Sequence, residues 1–191
     1  NPTVPAKNAR ELVAAARAKG LSYGSSGAGS MSSLAAELFK SMAKADIVHV
    51  PYKGTAPALT DVMSGQIDMM FADLAVIQPH VGTGKLRVLA VCGAKRLASA
   101  PNLPTIAESV FAGYAIEPWF GVVAPAHVAR DIVARLNQVI NAGLKAADSQ
   151  QRLGSLGYEA IGGSSLDFAA TIKADIAAYA RIIKTAGIKT D

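Results

Sequence analysis

The sequence predicts an α/β fold built on an open, largely parallel sheet. Three observations predict it. Segments with helical apolar spacing alternate with short apolar runs, glycine-rich turns stand where run meets helix, and 191 residues with 51% hydrophobic but only 17% charged side chains are enough to bury a substantial core.

Taken in order, Ala9–Lys19 reads as a helix burying Leu12, Val13 and Ala16, with Gly20 as its stop. Leu21–Tyr23 is a short strand that runs into Gly24-Ser-Ser-Gly-Ala-Gly-Ser30. Met31–Ala43 is a helix with Met31, Leu34, Leu38 and Met42 on one face, Ile47–Pro51 a strand, and Thr55–Ser64 a helix turning Ala58, Leu59, Val62 and Met63 inward. Ile67–Phe71 is a strand, Leu74–Val81 a short helix disturbed by Pro79, and Leu86–Ala94 a long buried strand. Lys95–Pro104 is loop, after which Thr105-Ile-Ala-Glu108 fits a capping box and opens a short helix. Tyr114–Ala124 resembles a strand, but Pro118 argues against a regular central one, and the segment reads as a crossing between two lobes.

Beyond Pro125 the pattern is helical. Val128–Lys145 carries the stripe Val128, Ile132, Leu136, Val139/Ile140 and Leu144, with Asp131 near its positive end. Asp148–Leu156 is a short helix closed by Gly157, and Tyr158–Ile161 is expected to add a strand. Ser164 caps a last helix whose Phe168, Ile172, Ile176, Tyr179 and Ile183 form one face up to Gly187. Three helices and one strand cannot cover the faces they expose, so residues 125–191 read as the covering layer of a sheet that this stretch does not supply.

Charge narrows the function. The formal net charge is +5, but residues 1–124 hold 11 Lys/Arg against 8 Asp/Glu and residues 125–191 hold 8 against 6, so the excess is spread evenly. Lys95 and Arg96 form the densest basic spot, without interleaved aromatics or Cys/His spacing, and a nucleic-acid partner is not expected. No apolar run reaches the roughly 18 residues of a membrane helix, so the chain is not expected to insert in a membrane. The single cysteine, Cys92, lies in an apolar run and reads as a buried small side chain; it leaves the redox compartment open.

The most informative stretch is the Gly/Ser loop before Met31. Placed between strand and helix, it aims unbonded backbone N–H groups and the positive end of the helix macrodipole at one spot. The nucleotide-loop patterns fail: from Gly27 the third glycine position of G-x-G-x-x-G is Ser32, and no Lys-Ser/Thr follows Gly29. The hydrolase elbow G-x-S-x-G fails because Gly24-Ser-Ser26-Gly-Ala28 ends in alanine. An anion site and a turn that only caps the helix through Ser30 both remain open. Pro51-Tyr-Lys-Gly-Thr-Ala-Pro57 is the second candidate: Tyr52 offers a hydroxyl or a stacking face, Lys53 a charge, and Thr55 an N-cap. Asp73, after Phe71-Ala72, comes to the same sheet edge, where open α/β sheets bind ligands. His49, His80 and His127 read as structural or solvated, Asp61 and Asp68 as solvated, and no spacing suggests a catalytic triad, a metal site or any catalytic residue.

Several ordered stretches carry a family resemblance. Tyr23–Ser30, Val48-His-Val-Pro-Tyr-Lys-Gly-Thr-Ala-Pro57, Asp61–Phe71, Gly84-Lys-Leu-Arg-Val-Leu-Ala90, Pro104–Glu108, Trp119-Phe-Gly121, Ala124-Pro125 and Ala186-Gly-Ile188 resemble motifs of the Bug family, extracytoplasmic receptors of tripartite tricarboxylate transporters. The resemblance implies a periplasmic protein of the type II periplasmic-binding fold, with two α/β lobes around a cleft, no cofactor, a small carboxylate ligand and a membrane permease as partner. A ligand-sensing lobe of a regulator and a hydrolase using Ser26 are the alternatives. Carried onto this chain, the carboxylate cradle falls on Ser25, Ser26, Gly27, Ala28, Gly29 and Ser30, faced by Tyr52, Lys53, Gly54, Thr55 and Asp73. Two departures stand out: Ser33 replaces a frequent His, and Ala72-Asp73 a frequent Asp-Asn. Residues 1–117 are expected to form the family's complete second lobe, 118–124 the crossing, and 125–191 the helices of a first lobe whose sheet is missing, the family's opening strand being unmatched.

Overall fold

Three helices of the first half begin at a residue whose side chain caps them, Asn8, Ser30 and Thr105. In the computed structural model, which describes residues 1–188, α1 (Ala9–Lys19) starts at Asn8, whose side chain accepts from the Glu11 amide, and stops at Gly20 with φ 68°. β1 (Leu21–Ser25), α2 (Met31–Ala43), β2 (Ile47–Pro51), α3 (Thr55–Ser64), β3 (Met69–Met70) and α4 (Leu74–Val81) follow. α5 (Ile106–Ser109) opens on the complete capping box of Thr105 and Glu108. The chain divides into one unit of Asn1–Pro118 with the stretch from Ile182 onward, and another of Trp119–Arg181.

The sheet has the order β2-β1-β3 and is parallel throughout. β1 pairs with β2 from Leu21↔Ile47 to Ser25↔Pro51. It pairs with β3 through Tyr23↔Met69 and Gly24↔Met70. Above the sheet, α2 buries Leu34, Ala35, Ala36, Phe39 and Ala43. The expected stripe of Met31, Leu38 and Met42 is only half-buried, because alanines let the helix approach closely and Phe39 fills the gap between Phe71 and Phe111, at 5.8 and 5.5 Å. Tyr114 reaches back to donate to the Ala35 carbonyl at 2.9 Å. Ala58, Leu59 and Val62 face inward from α3 as expected, while Met63, expected with them, is half-buried.

Three expected strands change. β3 shrinks to two residues because Asp68 uses its side chain where a ladder would continue: its carboxylate accepts from the Ser22 amide (2.8 Å) and hydroxyl (2.9 Å). Leu86–Ala94 forms no ladder. Val91 makes a single bridge to Thr105, its amide on the Pro104 carbonyl and its own carbonyl accepting the Ile106 amide, and Pro104, having no N–H, cannot extend the pairing toward the start of the run. Tyr158–Ile161 is irregular, the neighbouring Gly163 carbonyl being taken by the side chains of Asn137 and Asn141.

The second unit holds α6 (Arg130–Lys145), α7 (Ala147–Ser155) and most of α8 (Ser165–Ala186). No residue from Trp119 to Arg181 is buried. Phe120, Val122, Val123, Ile161 and Leu166 are each at least 70% exposed, and the α6 stripe of Ile132, Leu136, Val139 and Ile140 faces solvent. Local contacts organise it: Trp119 packs edge-on against Phe168 at 5.0 Å, and Phe120 against Tyr158 at 5.7 Å.

So large an apolar surface is a patch that binds whatever apolar partner is present. The 191-residue chain is expected to bind a hydrophobic dye under native conditions. Replacing Leu136 and Ile176 together by serine should lower the dye signal while leaving the urea stability of the first unit within about 0.5 kcal/mol. An unchanged signal would show that this face is not the exposed one.

Candidate functional site

All three strands run the same way, so the segments leaving β1, β2 and β3 emerge at one sheet edge and enter α2, α3 and α4. The first two are joined side by side. Beyond the strand ends, the Tyr52 amide donates to the Ser25 carbonyl at 3.0 Å and the Gly54 amide to the Ser26 carbonyl at 3.2 Å. Two loops separated by a helix in the sequence thus form one continuous backbone surface, and the register of Gly24 with Met70 brings Ala72 and Asp73 to the same edge.

Within the Gly/Ser loop, hydrogen bonds divide the amides into two sets. The Ser26 amide donates to Ser32 Oγ (3.0 Å), the Gly27 amide to Ser25 Oγ (3.2 Å), and the Ser33 amide to Ser30 Oγ, the N-cap of α2. The Ser30 amide donates to the Gly27 carbonyl at 3.3 Å, which also accepts the Ser30 hydroxyl at 2.7 Å. Gly27 turns the chain here at φ 140°, a conformation side chains disfavour. Among the described residues, no acceptor is bonded to the amides of Ala28, Gly29, Met31 or Ser32. Ala28 and Gly29 are exposed. These four neighbouring donors sit at the positive end of a 13-residue helix.

The second loop differs from expectation at two residues. Gly54, at φ 112°, is the N-cap of α3, and no side chain caps that helix; Thr55 is its first helical residue instead, since glycine supplies the conformation that the cap needs here. The Tyr52 hydroxyl donates to Asp61 at 2.6 Å, a bond that raises the phenol's pKa, so it is not a free donor. Its ring lies over Gly24, where a Cβ would meet Tyr52 at 3.4 Å and Ala58 at 3.3 Å. Asp61 and Asp68, expected as solvated, are therefore both partnered. Lys53 is exposed. Asp73 is the half-buried N-cap of α4, and its carboxylate bonds no helix amide.

Two residues that the sequence did not place at the site support the loop, Ser32 and His49, the latter read from the sequence as structural or solvated. Ser32 Oγ lies 3.1 Å from the Ser26 hydroxyl and 2.9 Å from that of Ser30, a hub among the loop serines. His49 lies 2.7 Å from Ser25 Oγ and stacks on Tyr23, ring centroids 4.6 Å apart. Burial lowers its pKa against the opposing pull of Glu37. The spacing signal was absent because parallel register alone brings Tyr23 and His49 together.

Hydrolytic chemistry finds no geometry. Ser26 bonds Ser32 rather than a base, and Ser25, which does contact a histidine, is fully buried. Cys92 is a free, half-buried thiol pushed up to about 11 by desolvation. No His/Cys/Asp/Glu group among the described residues could hold a metal, and no described helix is long and apolar enough to cross a membrane. A groove of about 570 Å³ between α1 and α5 shares no residue with the strand-end loops, and its Arg10 and Arg17 already donate to the Ser109 and Ala43 carbonyls.

A family model described as "Tripartite tricarboxylate transporter family receptor" matches residues 1–188. The structure of Rpa4515 from R. palustris with adipate aligns at a TM-score of 0.90 and 37% identity, covering 97% of this chain and 63% of that one. The periplasmic binding protein BugD aligns at 0.86 and 28%, covering 98% and 64%. MatC from Rhodopseudomonas palustris with bound malate aligns at 0.82 and 26%, covering 94% and 63%. The chain spans 49–59% of the length of several curated bacterial relatives that it matches at 27–33% identity.

The bonds of Ser30 make it a cap whatever else it does. Ser30→Ala is expected to destabilise the first unit by about 1 kcal/mol, read from urea denaturation; no loss would remove Ser30 from the capping role.

Proposed function

The chain belongs to the Bug family of tripartite tricarboxylate transporter receptors, and from that premise we propose that it holds one carboxylate of a small ligand on the strand-end amides. The ligand class is a di- or tricarboxylate, an acidic amino acid or an aromatic carboxylate. The receptor is periplasmic, performs no chemistry on its ligand, and delivers it to a membrane permease of the tripartite type. The single observation that carries this reading is the unbonded row of Ala28, Gly29, Met31 and Ser32 amides at the N-terminus of α2, with the uncapped N-terminus of α3 bonded alongside.

The chemistry fits a carboxylate because its two oxygens accept several hydrogen bonds in one plane. Each charge-assisted bond contributes about 1.5–3 kcal/mol, so two or three from this chain supply on the order of 4–6 kcal/mol before ordering costs. Micromolar capture needs about 8 kcal/mol. The difference is assigned to donors from an opposing lobe and to closure around the ligand, which is also the change a permease can sense. In this reading Lys53 adds long-range attraction, Ser25 supports the loop from inside, and Tyr52 braces it through Asp61. The solvent-facing stripe of α6, with Leu166 and Ile176 of α8, is then part of the layer that covers a sheet supplied outside residues 1–188.

Adipate and malate titrated into the isotope-labelled chain are expected to move the amide resonances of Ala28, Gly29, Met31, Ser32 and Thr55, with a Kd from tens of micromolar to millimolar. Hexane-1,6-diol, of adipate's length but uncharged, should move none. Ser30→Asp keeps a good N-cap and sets a negative charge in the cradle, so it should preserve stability and abolish the response. Equal responses to diol and diacid, or shifts confined to other residues, would sink the proposal.

A further inference from the structure

We infer that His49 is a positioning residue for the cradle: held flat against Tyr23, it fixes Ser25 from the neighbouring strand, and Ser25 fixes Gly27 in the turn that leaves the next two amides unbonded. The inference rests on reading the loop as the carboxylate site.

Ser25 is fully buried, so its hydroxyl must find partners inside the protein. It has three: the Gly27 carbonyl at 3.0 Å, the Gly27 amide at 3.2 Å and His49 Nε2 at 2.7 Å. A hydroxyl has one hydrogen and two lone pairs. Only one assignment uses every contact. His49 Nε2–H donates to Ser25 Oγ, the Gly27 amide donates to the same oxygen, and the Ser25 hydroxyl donates to the Gly27 carbonyl. With the proton on Nδ1 instead, the hydroxyl has to turn to His49 and give up the Gly27 carbonyl, leaving that carbonyl to the Ser30 amide and hydroxyl alone. The tautomer of His49 and the turn at Gly27 are therefore one coupled choice.

The imidazole is held on its other side too. Tyr23 stacks on it with planes 8° apart, and the Tyr23 hydroxyl donates to Glu37 of α2 at 2.6 Å. Burial, the largest cause, and Lys40 on the same helix both favour the neutral ring and together outweigh Glu37, which favours a charged His49. Protonation adds its proton at Nδ1 and leaves Nε2–H in place, so the clamp survives acidification and only the charge beneath the cradle changes. The chain Glu37–Tyr23–His49–Ser25–Gly27 thus runs from α2 through both strands back to the turn in front of α2.

The test compares His49→Leu, which keeps bulk but removes the donor, with His49→Gln, whose amide can still donate to Ser25. Expected for Leu are displaced Gly27, Ala28 and Gly29 amide resonances and adipate binding weakened roughly fivefold, the equivalent of about one lost hydrogen bond; Gln restores both. In the wild type, nitrogen NMR of the imidazole should show the Nε2–H tautomer above pH 7, and the Gly27 amide should titrate together with His49. Should the Leu variant fail to fold, the wild-type readings decide: an Nδ1–H tautomer, or a Gly27 amide indifferent to His49, overturns the inference. So does a folded Leu variant with unchanged loop resonances. If the wild type binds no carboxylate at all, the proposed ligand class falls while the loop resonances still judge the role of His49.

Discussion

Parallel pairing of β1 with a strand on each side is the constraint on which the rest of the structure depends. Parallel neighbours can be joined only by crossovers, so α2 and α3 carry the chain between strands and every helix that leaves the sheet, α4 included, starts at the same edge. The exact register then sets the details. Tyr23 opposite His49 gives the stacked rings, and Ser25 opposite Pro51 lets the hydrogen bonding run on past the strands to Tyr52 and Gly54. Gly24 completes the arrangement, since a side chain there would press on both Ala58 and the Tyr52 ring. A one-residue slip would exchange the faces of every side chain and dismantle the loop platform together with the core.

The platform differs from an ordinary helix start in how its polar groups are allotted. Serine oxygens from within the loop satisfy the amides of Ser26, Gly27 and Ser33, which are partly or fully enclosed. The unbonded amides include the two exposed residues, Ala28 and Gly29. The buried Ser33 amide is thereby matched and the exposed Ala28 and Gly29 amides are left to solvent, an allotment that in the proposed reading leaves little ordering to do when a ligand arrives.

Much of this was legible in the sequence, and what was not has a common cause. Helices announced themselves through local signals: Gly20, the Thr105–Glu108 box and Ser164 before Asp167 all act where the spacing placed them. The two loops were legible as well, because glycine and serine between strand and helix have a local meaning. Non-local partners were hidden. Nothing in the spacing shows that Tyr52 would meet Asp61, that Asp68 would take Ser22 and shorten β3, or that His49 would lie under Ser25. The apolar run at Leu86–Ala94 misled for the same reason: composition reports that a segment is suited to a ladder, while Pro104 on the opposite segment, having no N–H, limits the pairing there.

The electrostatics of the edge separate it from a site built on ion pairs. The described chain has one salt bridge, Arg96–Glu108, outside these loops, and the proposed cradle is made of backbone dipoles, with the exposed Lys53 and the half-buried Asp73 as the charged residues at the same edge. A guanidinium at that position would bind carboxylates, phosphates and polyanions alike and would carry a desolvation cost on burial. Amides fixed at two helix starts act over a shorter range and demand that the anion be small enough to reach them, so selection falls to shape more than to charge. In the proposed reading they also release their ligand without separating a buried ion pair, as a carrier that hands its cargo on requires. The even spread of the net charge of +5 fits the proposed reading: attraction for anions is general and mild over the surface, and discrimination would fall to the few N–H groups that the parallel register lines up.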